Sequence, residues 1–185
     1  FIEIEKNLKE EWKNNEREYK KKQDRLHNKA KNVRKLMCRM GRMDACPKGK
    51  EMKITLTSYN PECRQTDGGY HGPDNLCYSE PGGKGKLLGD PCKGATGVDA
   101  CAYSYGGARV MALSQDLVSK TKNTPFKYGD FVELKHSNPK CTGVFKVIDT
   151  MNKRFTLRGD VFNMSKEDNF GLCKHAIISK IIPSH

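Results

Sequence analysis

"GVFKVIDTMNKRFTLRGDVF", residues 143–162, sets two apolar, β-branched runs on either side of a short polar and cationic stretch. Period-two alternation puts Phe145, Val147 and Asp149 on one face of the first run, so the face that buries Phe145 aims Asp149 inward as the strand ends. Asp160 stands where the second run begins. If the two strands are neighbours, both carboxylates face one cleft, with Lys153, Arg154 and Arg158 in the crossover between them. The spacing is equally compatible with two aspartates that cap turns or pair with those three cations.

Five further segments read as strands: 52–59 (MKITLTSY), 108–114 (ARVMALS), 131–135 (FVELK), 159–164 (GDVFNM) and 176–182 (AIISKII), with 143–149 completing a set of six. Residues 113–118 and 165–172 read as short helical turns. Six short strands in roughly 130 residues predict a small closed barrel. Residues 68–107 hold eleven of the seventeen glycines and three of the eight cysteines, which predicts a long irregular insertion. Its PGGKGKLLGD lacks both the G-x-x-x-x-G-K-[ST] spacing and a preceding apolar strand, so it is no phosphate loop.

The N-terminal forty residues read differently. They contain no Gly or Pro, and Trp12, Tyr19, Leu26, Val33 and Met40 recur at heptad spacing, which predicts a basic helix over 1–40. Asn15, Lys22 and Lys29 occupy companion positions, a poor seam for a dimeric coiled coil. Gly41, Pro47 and Gly49 mark 41–51 as a linker. The net charge is +12, and residues 1–53 carry 17 Lys/Arg against 9 Asp/Glu. Acidic residues interspersed on the helix argue for a solvated face that serves attachment or assembly, in a phage particle or a homo-oligomer, and against nucleic acid.

The cysteines are even in number, widely spaced and free of CxxC pairs, which predicts disulfides formed in an oxidising compartment. Spacing leaves their connectivity open. The histidines (His27, His71, His136, His175, His185) form no metal-spaced set, and no apolar run approaches the roughly 20 residues of a membrane span. The chain begins at Phe1, so a leader is expected to have been removed. Asn163-Met164-Ser165 fits a glycosylation acceptor, read here as chance.

ITLTSYNPECRQTDGG (54–69), RVMALSQDL (109–117), YGDFVEL (128–134) and the opening stretch occur in an order that resembles the three-aspartate domain. That family is a mainly β, six-stranded double-psi β-barrel, found at the catalytic centre of membrane-bound lytic transglycosylase A and in wall-directed bacterial and phage proteins. The form here is most similar to versions carried by phages and mobile elements of Bacteroidetes-type bacteria. The resemblance spans about 52–182 and implies a barrel domain over 52–185. It implies peptidoglycan glycan-strand cleavage without a cofactor, with Asp160 as acid and Asp149 as its partner carboxylate. Arg154, Lys153, Arg158, Tyr59 and Ser114 are the expected substrate contacts. Ser114 occupies the place of the family's first aspartate, with Asp116 two residues on, so a wall-binding or virion module without catalysis is the alternative. Either role implies an exported or virion-associated protein.

Overall fold

Lys, Glu, Arg and Asn without a helix breaker favour α-helix on intrinsic propensity, and in the computed structural model, which describes residues 1–183, Ile2–Arg39 form one 38-residue helix, α1. Glu3 and Glu5 in its first turn and Arg39 in its last complement the helix dipole. The helix stops where Gly41 takes a φ of +93° that few other residues tolerate. A 3-10 turn, Met43–Ala45, follows, and the Cys38–Cys46 disulfide closes it. His185 and the last residues of the expected 52–185 domain lie outside the described residues. Among the described residues no helix is long and apolar enough to cross a membrane.

Residues 1–46 and 47–182 are separate units. The second holds β1 (Met52–Tyr59), β2 (Tyr70–His71), β3 (Cys77–Glu80), β4 (Lys84–Gly89), α2 (Ala100–Tyr105), β5 (Val110–Leu113), β6 (Phe131–Lys135), β7 (Gly143–Thr150), β8 (Arg158–Phe162) and β9 (Cys173–Lys180). Six of these strands close a barrel in the order β1-β8-β5-β7-β6-β9. The pairs β1/β8 and β5/β7 are parallel and the other four antiparallel. Inward residues alternate along each strand, and Leu56, Met111, Leu113, Val132, Leu134, Phe145, Val147, Val161 and Ile178 form a solvent-free core. Gly159 sits in that interior because a Cβ there would stand 2.6 Å from the Met111 methyl and 2.8 Å from Leu56.

Three expectations change. β7 and β8 are not neighbours, since β5 lies between them and hydrogen-bonds to both. The 68–107 segment is not irregular throughout. β2, β3 and β4 form a three-stranded sheet, and α2 buries Ala100 and Cys101 against Val110, Ile148 and Phe162 on the outer side of the barrel wall. Of the two expected helical turns, 165–172 contains a 3-10 turn at Lys166–Asp168, whereas 113–118 is a hydrogen-bonded turn about the Ser114 carbonyl.

All eight cysteines are paired, as Cys38–Cys46, Cys63–Cys77, Cys92–Cys101 and Cys141–Cys173. They fit a chain that matures in an oxidising compartment. A buried polar knot does comparable work at the end of β1. Asn60, 1% exposed, donates to the Asn163 carbonyl (2.8 Å) and accepts from Asn169 Nδ2 (2.6 Å), while its own N–H donates to Gln65 Oε1 (2.9 Å). Alkylation of the unreduced, denatured chain should label no thiol, read as an unchanged intact mass. Asn60→Ala should cost about 2–3 kcal/mol in urea unfolding, because it strands the buried Asn163 carbonyl and the half-buried Asn169 amide. A loss under about 0.5 kcal/mol would show the knot to be dispensable.

Candidate active site

Sheet register places the two carboxylates. In β5, Ala112 pairs with Asp160 of β8 on one side and with Asp149 of β7 on the other. Across the next ladder Asp160 pairs with Thr57 of β1. Thr57, Asp160, Ala112 and Asp149 thus form one row, on the face opposite the inward residues Leu56, Met111 and Val161. Simple alternation from Phe145 and Val147 would have sent Asp149 into the barrel. Instead the register shifts: Met111 faces Val147 but Ala112 faces Asp149, leaving Ile148 as the extra residue of a β-bulge. The bulge puts Ile148 and Asp149 on the outer face in succession, Ile148 under α2 and Asp149 beside Asp160. The small Ala112 side chain leaves room between the acids.

Their surroundings differ. Burial pushes the Asp160 carboxyl up to about 6, against the Thr57 hydroxyl and the Arg158 charge, which favour the anion; Asp149 adds a smaller upward push. Thr57 Oγ1 donates to Asp160 Oδ1 at 2.9 Å. Asp149 is also raised by burial, but two amides oppose the rise: Ala95 N–H and Thr150 N–H donate to its Oδ1 at 2.7 and 2.8 Å. Burial, then Asp149 and Asp160, hold the Tyr59 phenol far above its ordinary range, so it stays a donor. Its ring packs edge-on against Phe162 at 5.3 Å. The acid that keeps its proton up to about pH 6 is Asp160, and the one bound by amides is Asp149.

These groups open into a cleft of about 540 Å³. One wall comes from the segment after β1: Gln65, Thr66, Asp67, Pro91, Cys92, Lys93, Gly94 and Ala95. The other is Thr150–Asn152, Arg154 and Phe155. Of the residues named from sequence, Asp149, Asp160, Tyr59 and Arg154 line this cleft. Lys153, Arg158 and Ser114 do not. Arg158 and Arg154 each lie over Phe155 at 4.7 Å, and Arg158 acts on Asp160 through its charge. Ser114 is fully buried; its Oγ accepts from Arg158 N–H (3.0 Å) and its N–H donates to the Arg158 carbonyl (2.9 Å), which pins the start of β8. Asp116 accepts from Leu157 N–H at 3.0 Å in the same turn.

Sequence reasoning missed Asp67, a third cleft carboxylate whose pKa burial raises, and it missed Gly94. A Cβ on Gly94 would stand 2.5 Å from Asp149 Cγ, so only glycine lets this wall close on the acid. TDGG at 66–69 and the GDPCKG around Gly94 carried no periodicity that would have pointed to them. No family model, curated protein or solved structure matches the chain.

Because folding raises the Asp160 pKa, it favours the protonated form: the stabilisation is full below about pH 4 and lost as pH rises through about 6. Asp160→Asn should therefore raise unfolding stability by about 2 kcal/mol near pH 7.5 and by almost nothing near pH 4. Equal effects at both pH values would show that Asp160 titrates normally.

Proposed function

We propose that the chain cleaves peptidoglycan glycan strands in the manner of a lytic transglycosylase, with Asp160 as the single acid/base, on a double-psi barrel of the three-aspartate kind in which residues 68–107 carry a Gly- and Cys-rich insertion. The observation that carries the reading is Asp160, held near a pKa of 6 beside an amide-bound second carboxylate in an open polar cleft. Asp160 donates its proton to the glycosidic oxygen as the C–O bond to the anomeric carbon breaks. The resulting carboxylate then takes the proton of the sugar's own hydroxyl, whose oxygen attacks the anomeric carbon and closes an anhydro ring, regenerating the acid. No water is consumed, so one carboxyl serves both half-reactions. Asp149 faces the developing positive charge, and its two amide donors favour the anion that task requires. Tyr59 donates to substrate oxygen, and Arg154 meets the anionic parts of the glycan. The exported or virion setting supplies the wall.

A second reading has its own support. Ser114 stands where the resemblance places a third acidic group, and its hydroxyl is committed to the β8 turn. A barrel that binds wall without cutting it follows if Asp160 and Asp149 alone do not suffice.

Purified peptidoglycan digested by the wild type should yield anhydro-muramyl ends by mass analysis; reducing ends would identify a hydrolase, and binding without fragments the second reading. Asp160→Asn should lower cleavage by about 10²-fold or more, and Asp149→Asn by less. The acid must start protonated, so wild-type turnover should fall as pH rises through about 6. A profile flat from about pH 5 to 8 would rule Asp160 out as donor.

A further inference from the structure

Helix α1 leaves its apolar line in solvent: Leu8, Trp12, Tyr19, Leu26, Val33 and Met40 are each 49–75% exposed. A line of this length calls for an occupant. The charge along the helix identifies one. Residues 1–16 carry 3 Lys against 5 Glu, and residues 17–40 carry 10 Lys/Arg against 2 acidic residues. One end is therefore acidic and the other strongly basic, so the helix is complementary to a reversed copy of itself.

The heptad positions agree. Trp12, Tyr19, Leu26, Val33 and Met40 form one seam line, and Leu8, Asn15, Lys22, Lys29 and Leu36 the other. The seam is poor for a parallel dimer, because two parallel copies in register would set Lys22 on Lys22 and Lys29 on Lys29, and Glu11 beside Glu16 at the flank. Turning one copy round removes all three repulsions. Leu8 then meets Val33, while Trp12 and Tyr19 meet Lys29 and Lys22, where an ammonium group over an aromatic face is favourable. Glu18 lies beside Arg25, twice by symmetry. Asn15 meets Leu26, a mismatch that lowers affinity and fits a dissociable pair.

We infer that α1 pairs with the α1 of a second copy of this chain as an antiparallel two-helix coiled coil, so that the protein acts as a dimer. The inference is independent of what the cleft does. Two barrel units on one dimer would engage a polymeric ligand together, adding avidity without new contacts.

The test uses the full, oxidised chain. Sedimentation should show a reversible dimer, and the single tryptophan, Trp12, should shift its emission to the red on dilution. Cross-linking a mixture of isotopically light and heavy chains should give mixed links from Lys9 or Lys13 to Lys29 or Lys31. Glu18→Arg and Arg25→Glu should each raise the dissociation constant about tenfold, and the double variant should restore it to within about threefold. Glu18 pairs with Lys21 of its own helix at 2.9 Å and feels Arg25 there only as a smaller charge effect, so rescue of dimerisation by the double variant, with helix content by circular dichroism equal in all variants, reports the partner chain. A monomer at about 100 μM, mixed Lys9–Lys9 and Lys29–Lys29 links, or a double variant weaker than either single one would overturn the inference.

Discussion

The site depends on one extra residue in β7. Without the bulge at Ile148, period-two alternation would carry Asp149 to the interior face with Phe145 and Val147, where a carboxylate among apolar side chains has no partner. With it, the apolar pattern of β7 is kept through Val147, and the strand then presents Ile148 to α2 and Asp149 to the cleft. The parallel β5/β7 pair and the antiparallel β5/β8 pair share Ala112, so the acids converge from strands that never touch. The smallness of Ala112 and the absence of a side chain at Gly94 leave the cleft open between the acids.

The same arrangement explains why the two aspartates differ. Asp160 lies mid-row between Thr57 and Ala112, with one hydroxyl donor and Arg158 near enough to matter, and burial still dominates. Asp149 lies at the end of its strand, where the chain turns and backbone N–H groups are free of the ladder. Its own following amide and that of Ala95 both find it. Burial raises both acids, but at the strand end two backbone amides oppose the rise. Strand position thus gives the two carboxyls different hydrogen-bond partners.

Much of the barrel was legible because its signal is periodic. Six segments of β-branched alternation appear as the six barrel strands, and the absence of Gly and Pro over 1–40 appears as α1. What was illegible follows from non-local register. Nothing in GVFKVIDTMNKRFTLRGDVF marks Ile148 as a bulge, since the extra residue exists only relative to β5. For the same reason Ser114 and Arg158 read as cleft residues when they serve the β8 turn. Turn-rich sequence hid β2, β3 and β4, whose strands are two to six residues long and register-shifted, and with them Asp67 and Gly94.

The wall these strands carry is held differently from the barrel. β4 buries little, with Leu87 and Leu88 exposed, and the segment between β1 and β5 is fastened by Cys63–Cys77 and Cys92–Cys101 and by a few polar contacts. One of those contacts is Ala95 N–H on Asp149, and another is Thr96 Oγ1 on the Ile148 carbonyl at 2.7 Å. The bulge is therefore gripped from both sides, by β5 through the ladder and by residues 94–96 through side-chain and backbone hydrogen bonds. Bridges that span 9 and 14 residues restrain the unfolded chain modestly, each by about 2–3 kcal/mol. The Cys92–Cys101 bridge also ties the start of the 92–101 stretch to α2, which packs Ala100 and Cys101 on Val110, Ile148 and Phe162. The barrel core contains none of these four sulfurs, so the fold and the site are maintained by separable forces: apolar burial makes the row, and the disulfide-held wall sets the environment of its outer carboxylate.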